Sequence, residues 1–204
     1  MLREPLSVKN YLVKNYKSSM NLGLCGGHRT GKTTLAQAIA HSKNMPFVKT
    51  DTSAVFRKFG LDPALPMDFG TRLNIQHEIL KEAIAIWEQE PQSFISDRTP
   101  IDMMAYTVGD ILGKTNVDFT ELEDYLNLCF AATNRFFTKL AIIQPGIPLV
   151  YEVGKAALNQ AYIEHINILV MGLCSDRRLK STVLCLERQT TSLEERINRL
   201  LEFC

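Results

Sequence analysis

Apolar residues follow two rhythms along this chain. Short, nearly uninterrupted apolar runs at 21–25, 46–50, 93–96, 141–144 and 182–186 read as buried strands. Between them, apolar positions recur at helical spacing. Leu35 and Ile39 pair with Ala36 and Ala40, while Leu73, Leu80, Ile84 and Trp87 share one face. Met104 and Val108 lie on neighbouring turns, and Leu122, Leu126, Cys129, Thr133, Phe136 and Phe137 form a longer stripe. Residues 161–174 are periodic as well. Strand and helix signals alternate, which predicts an α/β fold with a parallel sheet.

Helix boundaries are written in capping residues. Asp68 opens a helix that Pro91 ends near residue 90. Thr99, Pro100 and Asp102 form a capping box with proline in the first turn, starting a helix to about residue 112. That structural explanation keeps Asp102 out of the candidate chemistry. Thr120 with Glu123 predicts another box, opening a helix to about residue 140, and Ser192 with Glu195 starts the last one. Arg177 and Arg178 follow a helix end, where cations are favourable. Ser7 caps a short helix through Tyr16 carrying Lys9 and Lys14, either a solvated surface helix or a basic arm for a polyanion.

Composition narrows the picture. With 204 residues, the chain fits a basic extension (1–20) and a single domain (21–204). A formal net charge of +1 provides no global basic field for nucleic acid. The five cysteines, Cys25, Cys129, Cys174, Cys185 and Cys204, lack C-x-x-C spacing and read as reduced thiols of a cytoplasmic protein. No apolar run is long enough to span a membrane, and the N-terminal residues lack the apolar core of a signal peptide.

The most specific chemistry lies between the first strand and the first helix. Gly26, Gly27, His28, Arg29, Thr30, Gly31, Lys32 and Thr33, followed by Thr34, match G-x-x-x-x-G-K-[ST] in its strand–loop–helix setting. Glycines let the backbone amides turn inward around phosphates, and the new helix adds its positive end. Lys32 reaches the β- and γ-phosphates, and the Thr33 hydroxyl is the expected Mg²⁺ ligand.

Other candidates stand at strand ends. Asp97 and Arg98 follow the third strand, where a second Mg²⁺-holding acid and a phosphate-binding fork belong. Asp51, ending the second strand, reads either as a base or orienting carboxylate, or as a cap before Thr52 and Ser53. Phe56, among Arg57 and Lys58, either sandwiches a nucleobase or anchors packing. Arg72 and Gln76, one turn apart, face either a ligand or water. Residues 146–160 lack periodicity and read as a lid, with Lys155 as its phosphate contact, or as a plain connection.

The phosphate loop together with Asp97-Arg98 resembles P-loop kinases of the nucleoside and nucleotide group. Blocks at 55–63, 96–102 and 144–148 are similar to phage-encoded AAA-ATPase-like kinases related to the ribosylnicotinamide-kinase domain. The chain departs from nucleoside kinases in carrying Asp97-Arg98-Thr99 where those carry Glu-Arg-Ser.

The resemblance implies a three-layer P-loop NTPase fold, with a parallel five-stranded sheet ordered 2-3-1-4-5 and helices on both faces. It also implies ATP as phosphoryl donor with Mg²⁺. The acceptor it implies is a deoxynucleoside monophosphate or modified deoxynucleoside, or 5-hydroxymethyluracil within phage DNA. A P-loop ATPase switch is a third reading, although such switches usually carry Glu where Arg98 stands. Monomer and homodimer both remain open, and a phage origin would put the protein in the host cytoplasm.

Overall fold

The computed structural model describes residues 20–62, 65–90, 93–150 and 159–204. The helix expected at 7–16 and Lys155 lie outside the described residues, as does most of the expected lid.

Strands β1 (Leu22–Cys25), β2 (Phe47–Val48), β3 (Ile95–Ser96), β4 (Lys139–Ile143) and β5 (Thr182–Leu186) form one parallel sheet in the order β2-β3-β1-β4-β5. The expected α/β fold, with its 2-3-1-4-5 order, is therefore the observed one. β1 is central, with Leu22 opposite Ile95 of β3 and Lys139 of β4.

Because the sheet is covered on both faces, its strands are mostly apolar, and alternate residues feed different cores. In β4, Leu140 and Ile142 join one core, Ala141 and Ile143 the other. The smaller core includes Leu35 and Ile39 of α1 (Lys32–Lys43) and Leu200 of α7 (Leu193–Phe203). The larger core gathers buried faces of α3 (Phe69–Trp87), α4 (Pro100–Gly109), α5 (Phe119–Phe136) and α6 (Gln160–Cys174). The short α2 (Thr52–Lys58) adds Val55 and Phe56 to that core.

Several helix boundaries differ from the sequence reading: α3 ends at Trp87 rather than near residue 90, and α5 at Phe136 rather than near 140, with Lys139 and Leu140 in β4. α5 is capped by Asp118, whose carboxylate accepts from the Thr120 and Glu121 amides at 2.9 and 3.1 Å. Asp118 therefore takes the role expected of Thr120, being placed to satisfy both amides at once. α4 ends at Gly109 rather than near residue 112. A Cβ at Gly109 would lie 3.0 Å from Ile166 Cδ1, so the helix end is fixed by close packing on α6.

The observed order puts the carboxyl ends of β1 and β3, and the loops that follow them, side by side. In open α/β sheets that edge is where ligands bind.

Candidate active site

The loop between β1 and α1 owes its shape to glycine at both ends. Gly26 has φ +143°, and a Cβ there would sit 2.5 Å from the Ile143 carbonyl oxygen. Gly31, at φ +86°, is the N-cap of α1 and lets the chain turn into the helix. Leu35 N–H makes the first intrahelical bond, to the Gly31 carbonyl at 3.0 Å, so the earlier amides of α1 are free for an anion. Lys32 folds back over the loop, its Nζ donating to the Gly26 and Gly27 carbonyls at 2.6 and 2.7 Å.

One face of α4 supports this loop. Asp102 completes the expected capping box, its carboxylate accepting from Thr99 N–H at 2.8 Å. The same carboxylate accepts from Gly26 N–H at 2.9 Å and lies 3.9 Å from Lys32 Nζ. One turn on, the Tyr106 hydroxyl accepts from His28 N–H at 2.9 Å. Burial pushes the Tyr106 phenol up to about 12, so it remains a neutral partner for the loop. Asp102 is 1 % exposed, and burial raises its pKa against the opposing pull of Lys32 and Arg98.

Burial lowers the pKa of Lys32, with Asp102 opposing the shift. A lysine with a lowered pKa loses its charge earlier as pH rises. Nucleotide affinity is therefore expected to fall with a midpoint below the ordinary lysine value of about 10.4, and Lys32→Arg should flatten that fall. Calorimetric titrations between neutral and alkaline pH would check it.

The residues expected to hold Mg²⁺ meet. Thr33 Oγ1 donates to Asp97 Oδ2 at 2.6 Å, beside the loop. A hydroxyl and a carboxylate are the hard oxygen donors this ion takes. No cluster of three or more potential metal ligands occurs among the described residues. Beside Asp97, Arg98 Nη1 donates to Thr52 Oγ1 at 2.9 Å, and its guanidinium lies 5.9 Å from the Tyr106 ring centre.

Asp51 is placed at the carboxyl end of β2 and caps α2, accepting from Ala54 N–H at 3.0 Å. Its other oxygen lies 3.5 Å from Arg57 Nη2, in an exposed pair. The capping role accounts for one oxygen, and the second, in its exposed pair with Arg57, is reachable from solvent. Asp51→Asn keeps a capping acceptor and should change stability by less than about 1 kcal/mol. If the carboxylate also serves the reaction, the same variant loses kcat with no matching loss of stability. Parallel urea melts and rate measurements separate the two roles.

A cavity of about 600 Å³ is lined by Phe69, Arg72, Asp110, Leu112, Tyr162 and His165, among others. Arg72 Nε pairs with Asp110 Oδ2 at 2.9 Å, and its guanidinium lies 5.8 Å from the Phe56 ring centre. Phe56 and Gln76 are themselves buried, Phe56 in the larger core. Asp51 lines a separate cavity of about 320 Å³ with Thr52, Val55 and Ile79. Asp102, Tyr106 and Asp110 follow one another at four-residue spacing on α4. That face therefore leads from the phosphate loop to the Arg72 pair over ~12 Å. His28, Tyr106 and Tyr162 form a ring cluster between them, with centroids 6.0–6.5 Å apart.

The structure thus assembles Gly26 to Thr34, Asp97 and Arg98 around one loop, and places Arg72 in an adjoining cavity. Asp102, Tyr106 and Asp110 were not legible as site residues. Asp102 carried only a capping signal, and the other two carried none.

An AAA domain family model matches residues 22–139, more than half of the chain. No curated protein sequence matches it. Among solved structures, deoxyadenosine kinase from M. mycoides is similar with a TM-score of 0.64 at 14% identity, covering 90% of this chain and 97% of that one. NadR in complex with NR is similar at 0.63 and 16% identity, covering 91% of this chain and 50% of that one. Thymidylate kinase from Ehrlichia chaffeensis is similar at 0.59 and 13% identity, covering 92% and 99%.

Proposed function

The chain belongs to the AAA domain family, and on that premise we propose that it is a Mg²⁺-dependent kinase. It moves the γ-phosphoryl group of ATP to a nucleoside or nucleotide-type acceptor, onto a hydroxyl of a nucleoside or a phosphate oxygen of a monophosphate. One observation carries the reading: the loop that holds Lys32, beside the Thr33–Asp97 pair, meets through the His28 and Tyr162 rings, 6.0 Å apart, a cavity of about 600 Å³ lined by the half-buried Arg72–Asp110 pair. A nucleotide switch needs the loop and has no use for the cavity. The fold shared with deoxyadenosine and thymidylate kinases supports the same choice.

Lys32 and the loop amides hold the donor phosphates, and Arg98 offsets charge on the group in transfer. Thr33 and Asp97 would hold Mg²⁺, which supplies charge neutralisation between the phosphates when bound. Asp51 orients the acceptor hydroxyl or takes its proton on the oxygen not used for capping. Lys155, in the proposed lid, adds a cation from outside. The acceptor's base lies toward Arg72 and Asp110, which present a donor fork and an acceptor side by side. Catalysis by such parts is mostly positioning and electrostatics.

Asp110→Ala leaves the Arg72 guanidinium without its carboxylate. The KM for the acceptor should rise about tenfold, with the KM for ATP unchanged. Steady-state kinetics with each substrate varied in turn would check this. The function itself is tested by offering Mg²⁺-ATP with nucleosides, nucleoside monophosphates, and duplex DNA with and without 5-hydroxymethyluracil. Phosphorylation of a free nucleoside or monophosphate supports the reading. Phosphorylation of modified DNA alone would move the acceptor into DNA.

A further inference from the structure

Arg196 of α7 is distant in sequence from the phosphate loop but packs against it. It is 3 % exposed, and its Nη2 donates to the Thr30 carbonyl at 3.0 Å. Its Nε is buried without a hydrogen-bond partner. A Cβ added to Gly31, the N-cap of α1, would lie 3.1 Å from Arg196 Nη1. The guanidinium is therefore pressed against the positive end of a helix of 12 residues.

Among the described residues no carboxylate pairs with Arg196, and burial alone acts on its pKa, lowering it. A guanidinium stays charged at neutral pH even so. Burying an unpaired cation is unfavourable, and placing it at a helix N-terminus adds repulsion. Both penalties shrink when a polyanion binds the amides on the loop.

We propose that Arg196 is a positioning residue for the donor's polyphosphate: a fixed cation behind the Thr30–Gly31 backbone whose countercharge is the bound phosphate chain. The inference rests on the loop being the donor-phosphate site. Lys32 brings a charge that moves with its side chain, whereas Arg196 holds the loop carbonyl and contributes a field that needs no rearrangement. The ligand class is a nucleoside triphosphate, recognised here through its phosphates and not its base.

The test compares wild type, Arg196→Met and Arg196→Lys by calorimetric titration with inorganic tripolyphosphate and with adenosine, and by thermal unfolding without ligand. Met keeps most of the buried volume and removes the charge. Arg196→Met should bind tripolyphosphate about tenfold more weakly, because a unit charge acts across a short, poorly screened distance. Its ligand-free melting temperature should hold or rise, as expected when an unpaired buried charge is replaced by an apolar group. Arg196→Lys should retain most of the affinity. Unchanged tripolyphosphate binding in Arg196→Met overturns the proposal, as does a fall in melting temperature that accompanies the lost affinity, which marks a structural role. Weaker adenosine binding alone would place Arg196 at the base and overturn it too. If wild type itself fails to bind tripolyphosphate, the loop is not a donor site and the broader reading falls with it.

Discussion

Lys32→Ala is expected to lower phosphoryl transfer by about 10³-fold while the protein stays folded. Lys32 Nζ is bound to the Gly26 and Gly27 carbonyls, so its charge is held over the loop where donor phosphates would lie. Removing it deletes the charge nearest the group in transfer. The cost to the fold is small for a reason visible in the geometry. Lys32 is desolvated, and its loss relieves that burial penalty; Asp102 loses the pull of Lys32 but keeps its backbone donors Gly26 and Thr99 and the attraction of Arg98. Single-turnover transfer rates, with circular dichroism as the folding control, would check the expectation. Near-normal rates in the variant would remove Lys32 from the chemistry.

Asp102→Ala should be the most destabilising single change at the site, by about 3–5 kcal/mol. The carboxylate joins three structures: the α4 cap through Thr99, the loop through Gly26, and the Lys32 ammonium at 3.9 Å. Truncating it leaves buried donors unpaired and a buried cation without its nearest anion. Asp102→Asn retains an acceptor and should lose less. Urea unfolding measures both, and nucleotide titration should show weaker binding in the alanine variant as the loop loosens. A loss below about 1 kcal/mol would mean that the carboxylate is not the joint it resembles.

The sequence foretold whatever local patterning controls. β5 coincides with its run at 182–186, and β1, β2 and β3 lie within theirs, while β4 begins at Lys139, two residues before its run and inside the stretch read as helix. The phosphate loop was legible because its spacing is a backbone requirement, seen in the positive φ of Gly26 and Gly31. Thr33 and Asp97 were assigned separately, and the fold brings them to 2.6 Å.

Long-range partners were not legible. Asp102 meets Gly26 across 76 residues, and Arg196 meets Thr30 across 166. Asp102 carried a sufficient local explanation as a cap, and Arg196 carried no signal that set it apart. The α5 cap was misplaced because Asp118 and Thr120 lie two residues apart and both suit the role. Arg178, read as a cation suited to a helix end, instead forks onto Asp176 at 2.8 Å and lies 4.2 Å from the Phe130 ring centre.

On the proposed reading, the loop with Lys32 and the cavity with Arg72 together pass a phosphoryl group to a nucleoside or nucleotide and not to water. The direct measurement is a single reaction with γ-labelled ATP, Mg²⁺ and a nucleoside mixture, in which label on organic product is compared with label in inorganic phosphate. Nearly all label is expected on a nucleoside-type product, and omitting the acceptors should leave ATP largely intact. Rapid release of labelled inorganic phosphate, unchanged by any acceptor, would contradict that reading and identify a nucleotide-hydrolysing switch.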